Sequence, residues 1–443
     1  MNKNIKRLIP FLVVILLAVV VWQYPKLNLI SGFAAKSTAS SIYIAGRSLS
    51  SVTENDNNVP LVKLAKSEYN VSEKKGMATV FGLMEREAVC REGLGCVLIN
   101  GETDIDLYTQ SPIRLQRKIA LPYPFGHETA LDTLFENVNY KQLKKALDHV
   151  FSDTVRTRTV LVLYKDHILA ERYKSGFDQS TPILGWSMTK SILATLYGIM
   201  QYQGKLSVTE PAPLPSSQED ERKDITLNHL LRMQSGLAWD EDYSTISDVT
   251  EMLFMESNMA DSQAKKKVVA PPTEIWNYSS GTSNLLSGLM RTKFDTYQNY
   301  LNFPYKALID KIGMHSMILE TDLAGNFVGS SYGWANTRDW GRFGQLYLHT
   351  GNWNGEQLFD PNWVRYVTTP TIHSDGVYGA HFWLNANGKF PDVPRDMYSA
   401  NGYQGQHVFI IPSRDIVIVR TGLAEEPQFN TNTFIKEILG AIQ

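Results

Sequence analysis

Gly185-Trp186-Ser187-Met188-Thr189-Lys190 leads straight into an apolar run, Ser191-Ile192-Leu193-Ala194-Thr195-Leu196-Tyr197-Gly198-Ile199-Met200. The run reads as a helix ending near Gly204. Residues three apart lie on one helix face, so the Ser187 hydroxyl and the Lys190 amine come within reach of each other. The start of a helix also offers N–H groups and positive potential to a developing oxyanion. That is the layout of a Ser-Lys acyl-transfer nucleophile. Ser-x-x-Lys equally describes a helix cap followed by a solvated lysine, so the surrounding chain has to decide between the two.

Outward from this stretch, sheet-forming segments bracket a long helical region. Leu143 to Phe151 reads as a helix, Thr159 to Tyr164 as a buried strand, Lys165-Asp166 as a turn and His167 to Tyr173 as the return strand. A second hairpin, His407 to Ile411 and Ile416 to Arg420, flanks Pro412-Ser413-Arg414-Asp415, and an amphipathic helix from about Thr431 to Ile442 closes the chain. Between residues 204 and 380 helical and loop patterns dominate. The pattern predicts an α+β fold, an antiparallel sheet flanked by helices plus an all-helical subdomain. The nucleophile helix falls at their seam, where pockets tend to form. Closer to the N-terminus, Met77 to Leu83 and Glu87 to Cys90 read as a further hairpin, and residues 101–140 look irregular.

Three more segments carry chemistry. Thr226-Leu227-Asn228-His229-Leu230-Leu231-Arg232-Met233-Gln234-Ser235-Gly236-Leu237 comes first, then Pro271-Pro272-Thr273-Glu274-Ile275-Trp276-Asn277-Tyr278-Ser279-Ser280-Gly281, then Ser399-Ala400-Asn401-Gly402-Tyr403-Gln404-Gly405-Gln406 just before the last hairpin. In this order, from about Leu143 to the C-terminus, the chain resembles the serine β-lactamase-like hydrolases of the class C type. The 6-aminohexanoate-dimer hydrolase and esterase branch is the nearest likeness. Gly329-Ser330-Ser331, Thr337-Arg338-Asp339-Trp340-Gly341-Arg342-Phe343-Gly344 and Trp239-Asp240-Glu241-Asp242-Tyr243 also look like that branch.

The resemblance implies a β-lactamase/transpeptidase-like fold with Ser187 as the acylated serine. Lys190 is then the group that assists its deprotonation, and Tyr278 the proton shuttle of the Tyr-x-Asn motif. Tyr403, with Gly402 beside it, is expected to help build the oxyanion hole, and Tyr243 to help bind substrate. Glu241 and Asp242 are expected to be solvated, with contact to a cationic substrate end as the alternative. Two departures stand out: Ser280 occupies the position of the motif's asparagine, and no Lys-Thr-Gly precedes the last hairpin. A shorter hydroxyl cannot replace an amide that both donates and accepts, so recognition of β-lactams is expected to be weak. The expected activity is a serine hydrolase of a small ester, amide or peptide, with no metal or cofactor. A non-catalytic penicillin-binding-like envelope module and an acyltransferase are the alternatives.

The 443 residues carry a net charge of −2, which gives no electrostatic footprint for nucleic acid. Lys3, Lys6 and Arg7 precede an uncharged stretch from Leu8 to Pro25, at the lower end of what spans a bilayer. This predicts a cytoplasmic tail over 1–7, a transmembrane signal-anchor over 8–25 and an exported remainder, with a linker and small N-terminal region over 26–140 and the catalytic domain over 141–443. The rival is a cleavable signal peptide cut near Gly32-Phe33-Ala34. In an oxidising compartment Cys90 and Cys96, with Gly93 and Gly95 between them, suit a small disulfide loop; two buried free thiols are the alternative. The histidines show no metal-ligand spacing, and His373, Asp375 and His381 read as a surface loop.

Overall fold

The computed structural model describes residues 3–101, 110–214 and 221–443, with the side chains of residues 3–22 and of Glu221 outside the description. In chain order the elements are α1 Lys3–Tyr43, α2 Leu49–Glu54, β1 Ala65–Asn70, β2 Lys75–Val80, β3 Leu83–Arg91, β4 Gly95–Leu98, α3 Tyr140–Val150, β5 Thr157–Tyr164, β6 His167–Tyr173, β7 Ile183–Leu184 and α4 Met188–Tyr202. There follow α5 Leu227–Leu231, α6 Asp248–Met255, α7 Met259–Ala264, α8 Ser280–Arg291, α9 Tyr297–Pro304, β8 Ile318–Leu319, β9 Gly333–Ala335, α10 Thr337–Leu348, β10 Asn352–Trp353, β11 Glu356–Gln357 and α11 Asn362–Thr368. The last are β12 Trp383–Leu384, β13 Tyr398–Gly402, β14 Gln406–Ile411, β15 Ile416–Gly422 and α12 Thr431–Gly440. The chain divides into two units. The first holds Met1–Arg91, Cys96–Thr103 and Asp242–Ser257; the second holds Glu92–Gly95, Asp104–Glu241 and Asn258–Gln443.

In the first unit β1 to β4 form one sheet in sequence order. The hairpin expected over 77–90 is β2 and β3, joined by Phe81-Gly82, both at positive φ (55° and 74°). This two-residue connection matches the twist of the strands it joins. Helix α1 lies against the sheet on small residues: Ala34, Ala35 and Ala39 are fully buried. A Cβ on Gly76 would stand 2.6 Å from Ala39 N and 2.8 Å from Ala35 O, so glycine is what lets β2 reach the helix. Residues 36–43, expected as linker, are therefore helical and partly core. Cleavage near Ala34 would cut a buried turn of this helix. The expected membrane span, Leu8 to Pro25, falls in the part of α1 whose side chains as far as Trp22 lie outside the described residues; among the described residues no helix is long and apolar enough to cross a membrane. Cys90 and Cys96 are disulfide-bonded.

The second unit is built on a six-stranded sheet of order β12-β13-β14-β15-β5-β6, antiparallel throughout. Strand side chains alternate between faces, and here both faces are covered. Leu161, Leu163, Val408, Ile410, Val417 and Val419 enter one core with α4, α8 and α10. Val160, Val162, Phe409, Ile411, Ile416 and Ile418 enter the other with α3 and α12. Double burial is why these strands read as unbroken apolar runs rather than alternating ones. Helix α10 sits close on the sheet through glycines: a Cβ on Gly344 would meet Val417 Cγ1 at 2.4 Å, and one on Gly341 would meet Leu161 Cδ2 at 2.7 Å.

Candidate active site

The nucleophile turn is set by β7, Gly185 and Trp186. Gly185 N–H donates to Gly333 O at 2.8 Å, and a Cβ on Gly185 would meet the Trp340 ring at 2.4 Å. Trp186 adopts a left-handed φ of 47°, uncommon outside glycine. This bends the chain sharply from strand to helix and leaves Ser187 as the cap residue of α4, half-buried, while Met188 to Met200 are buried.

One turn on, Lys190 is only 1% exposed. Its Nζ donates to Ser187 Oγ at 3.0 Å, Ser280 Oγ at 2.9 Å and Ser330 O at 3.0 Å. Burial disfavours the charged amine and brings its pKa down to about 8, with the negative charge of Glu241 opposing the shift. The amine is thus poised to lose its proton near neutrality, as a general base requires.

Tyr278 is delivered by the two central motifs acting together. Asn277 N–H donates to Met233 O at 3.0 Å, Thr273 N–H to Gln234 O at 2.9 Å, and Asn277 Nδ2 to Trp239 O at 3.1 Å. Gly236, at φ 75°, allows the segments to touch: a Cβ there would lie 1.9 Å from Ala270 O. The Tyr278 ring packs on Tyr378 and Trp383 with centroids at 5.7 and 5.3 Å, and the Lys190 amine stands 4.9 Å from its centre. Burial, with Glu241 adding to it, holds the phenol far above the usual range, and a hydrogen bond with Ser187 opposes the shift only in part. Tyr278 is therefore a neutral phenol, fit to pass a proton but not to serve as the resting base.

Ser280 is fully buried, and its hydroxyl is engaged on both sides. It accepts from Lys190 and donates to Glu241 Oε1. Ser280 N–H and Trp239 Nε1 both donate to Glu241 Oε2, the former at 2.8 Å. Glu241, expected to be solvated, is instead half-buried at the N-terminus of α8, where a carboxylate is favoured. Asp242 is exposed, as expected.

The loop after β13 closes the other side. A Cβ on Gly402 would lie 2.0 Å from Gly185 O, so the strand end abuts the nucleophile turn. Tyr403 stacks edge-on against Trp186 with ring centroids at 5.5 Å. Behind it Arg420, fully buried in β15, donates to Gly405 O at 2.7 Å, Ala424 O at 3.0 Å and Val155 O at 2.8 Å. It also lies 4.2 Å over the Phe429 ring. Burial lowers its pKa to about 9.

Ser187, Lys190, Tyr278 and Ser280 thus come together, and Gly402 and Tyr403 adjoin them. Tyr243 lies in Asp242–Ser257, which belongs to the first unit, and the Cys90–Cys96 pair is there too. His381, expected on a surface loop, is buried: its Nδ1 pairs with Leu231 O and its Nε2 with Ser283 Oγ. Among the described residues no group of His, Cys, Asp and Glu is placed to hold a metal. Glu241, Ser330 and Arg420 were not singled out from the sequence as parts of the site. Ser330 and Glu241 lay within stretches resembling the hydrolase branch, and Arg420 showed as a charge at the end of the apolar run Ile416 to Val419.

Residues 148–431 match the Beta-lactamase family. The 6-aminohexanoate-dimer hydrolase of Paenarthrobacter ureafaciens is 20% identical over 303 residues, covering 61% of this chain and 74% of that protein. Among solved structures, a D-stereospecific amidohydrolase from Streptomyces superposes with a TM-score of 0.53 at 13% identity, over 68% of this chain and 99% of that one. A hydrolase with promiscuous acyltransferase activity, EstCE1, superposes with a TM-score of 0.55 at 12% identity, over 68% and 98% of the two chains. The fold is thus the α+β one expected, of the β-lactamase/transpeptidase-like type.

Proposed function

We propose, from the premise that the chain belongs to the beta-lactamase family, that it is a serine hydrolase cleaving an ester or amide bond through an acyl-enzyme on Ser187. The observation that carries this reading is the 3.0 Å approach of a nearly fully buried amine, Lys190 Nζ, to a half-buried hydroxyl, Ser187 Oγ. Neutral Lys190 takes the proton of Ser187 as Oγ attacks the carbonyl. The tetrahedral oxyanion is met by the backbone N–H groups of Ser187 and Tyr403. Tyr278 passes a proton to the leaving alcohol or amine, and water, activated by the same groups, releases the acid.

For substrate we favour small esters and linear amides. The relative from Paenarthrobacter is named for an amide dimer, and two features disfavour β-lactams. No Lys-Thr-Gly stands before β14, and the Ser280 hydroxyl is already engaged by Lys190 and Glu241. We further infer that residues 8–25 anchor the chain and that the catalytic unit faces an oxidising compartment. The basic residues ahead of that stretch and the Cys90–Cys96 bond support this.

The test is intact-mass detection of an adduct with a fluorophosphonate probe, alongside hydrolysis of a panel of p-nitrophenyl esters, linear amides and β-lactams. The parent protein is expected to gain one adduct, on Ser187, and Ser187→Ala to gain none and hydrolyse nothing in the panel. Parent-level turnover by Ser187→Ala would refute the assignment.

A further inference from the structure

Three groups surround the Lys190 amine, and their own commitments fix which way its protons point. Ser330 O is a carbonyl and can only accept. Ser280 Oγ could in principle donate or accept, but its proton is committed to Glu241 Oε1, so towards Lys190 it too can only accept. A neutral amine has two N–H bonds and one lone pair. With both N–H bonds drawn to Ser330 O and Ser280 Oγ, the lone pair faces the remaining neighbour, Ser187 Oγ.

We propose that Glu241 is a positioning residue that, through the Ser280 hydroxyl, aims the Lys190 lone pair at the Ser187 proton. The inference rests on Lys190 being the base of the proposed reaction and adds the device that orients it. In the step itself the Ser187 O–H bond breaks, its proton joins the Lys190 lone pair, and the oxygen electron pair forms the new bond to the carbonyl carbon as the C=O π pair moves onto the carbonyl oxygen to give the oxyanion. Glu241 keeps its charge throughout and exchanges no proton.

The carboxylate is itself held in one orientation. Its Oε2 accepts from Ser280 N–H and Trp239 Nε1, and its Oε1 from the Ser280 hydroxyl. A glutamine at this position would place its oxygen where the two N–H donors converge and its NH₂ towards Ser280 Oγ. The Ser280 oxygen would then accept from that amide, and its proton would turn towards Lys190 and occupy the lone pair. Two other titratable groups close in on this pair. Tyr378 is held protonated by burial and by Glu241, and His381 is kept as neutral imidazole by burial and by Lys190. Tyr278 stays a phenol. Lys266 stands over the Trp239 ring, 5.9 Å from its centre.

The experiment is the pH profile of kcat/KM for a p-nitrophenyl ester in the parent, Glu241→Gln and Ser280→Ala proteins, with Ser187 labelling by fluorophosphonate run alongside. For Glu241→Gln the high-pH plateau is expected to fall about 100-fold. Its acid limb is expected to move to lower pH, because the negative charge that raises the Lys190 pKa is gone. For Ser280→Ala the plateau is expected to fall about tenfold or more. A cap of α8 and nothing else would lower the melting temperature and leave the limb where it was, and that result overturns the proposal. If Glu241→Gln fails to fold, Ser280→Ala decides: a plateau within about twofold of the parent overturns it. Failure of the underlying reading looks different, since then the parent itself forms no Ser187 adduct.

Discussion

Gly402 faces the carbonyl of Gly185 so closely that a Cβ on Gly402 would lie 2.0 Å from that oxygen. Backbone meets backbone, and no side-chain adjustment can relieve the overlap. In the proposed reaction this contact sets the Tyr403 amide relative to Ser187, as a two-amide oxyanion hole requires. Gly402→Ala is therefore expected to push the loop away from the nucleophile turn and to lower kcat/KM about 100-fold or more. Far-UV circular dichroism should show the sheet retained; a variant of parent activity would detach this loop from catalysis.

Arg420 supports the same loop from behind. Its guanidinium is buried and spends its donors on the carbonyls of Gly405, Ala424 and Val155. Arg420→Met keeps the bulk and strands those acceptors, at a cost of about 1–3 kcal/mol for each that finds no water. Chemical denaturation is expected to show that loss, and the activity remaining in the folded fraction should be reduced as well. Full specific activity in the folded fraction would argue that the loop holds its place unaided.

Lys190 carries the pH dependence. Its folded pKa, near 8, lies below the ordinary lysine value because the site is dry. In the proposed reaction the reactive form is the neutral amine, so labelling of Ser187 should rise with pH and level off above a midpoint near 8. Stability follows the same sign. Between the folded and unfolded values the unfolded chain holds a proton that the folded chain lacks, so this group's contribution grows as pH rises through that window and is lost as pH falls through the folded pKa. Lys190→Arg stays charged at every accessible pH, and is expected to cut labelling about 100-fold or more with no acid limb from this residue.

Tyr278→Phe isolates the phenol. Its ring is held by Tyr378 and Trp383, contacts that phenylalanine keeps. Acylation by a p-nitrophenyl ester is expected to slow about 100-fold, with little change in melting temperature. For a linear amide the loss should be greater, because the poorer leaving group depends more on the proton it receives. Equal losses on both substrates would remove Tyr278 from leaving-group protonation.

Much of the catalytic unit was legible along the chain. The two central hairpins fell within a residue or two of β5–β6 and β14–β15, because strands buried on both faces leave continuous apolar runs bounded by turn residues. Ser187, Lys190 and Tyr278, which the structure brings together, lie in or beside motifs whose glycines turn out to be close-approach points. Glu241 was not, because nothing in Asp240-Glu241-Asp242 distinguishes the middle carboxylate. Its role comes from the start of α8, 39 residues further on, which sequence-local reasoning cannot pair with it. Residues 36–43 were misread for the opposite reason: a Ser- and Thr-rich stretch looks like linker, yet small side chains are what a helix needs to lie tight on a sheet.

That tight seating has a practical consequence for anyone producing the protein. Trimming the chain back to Ile44, as one would discard a disposable leader, would strip away Ala34, Ala35 and Ala39 and lay bare the strand face that carries Ala78, Val80 and Ala88. A shortened version would then present an open greasy ledge to every neighbouring copy, and clumping, rather than a cleaner sample, is the outcome to plan for.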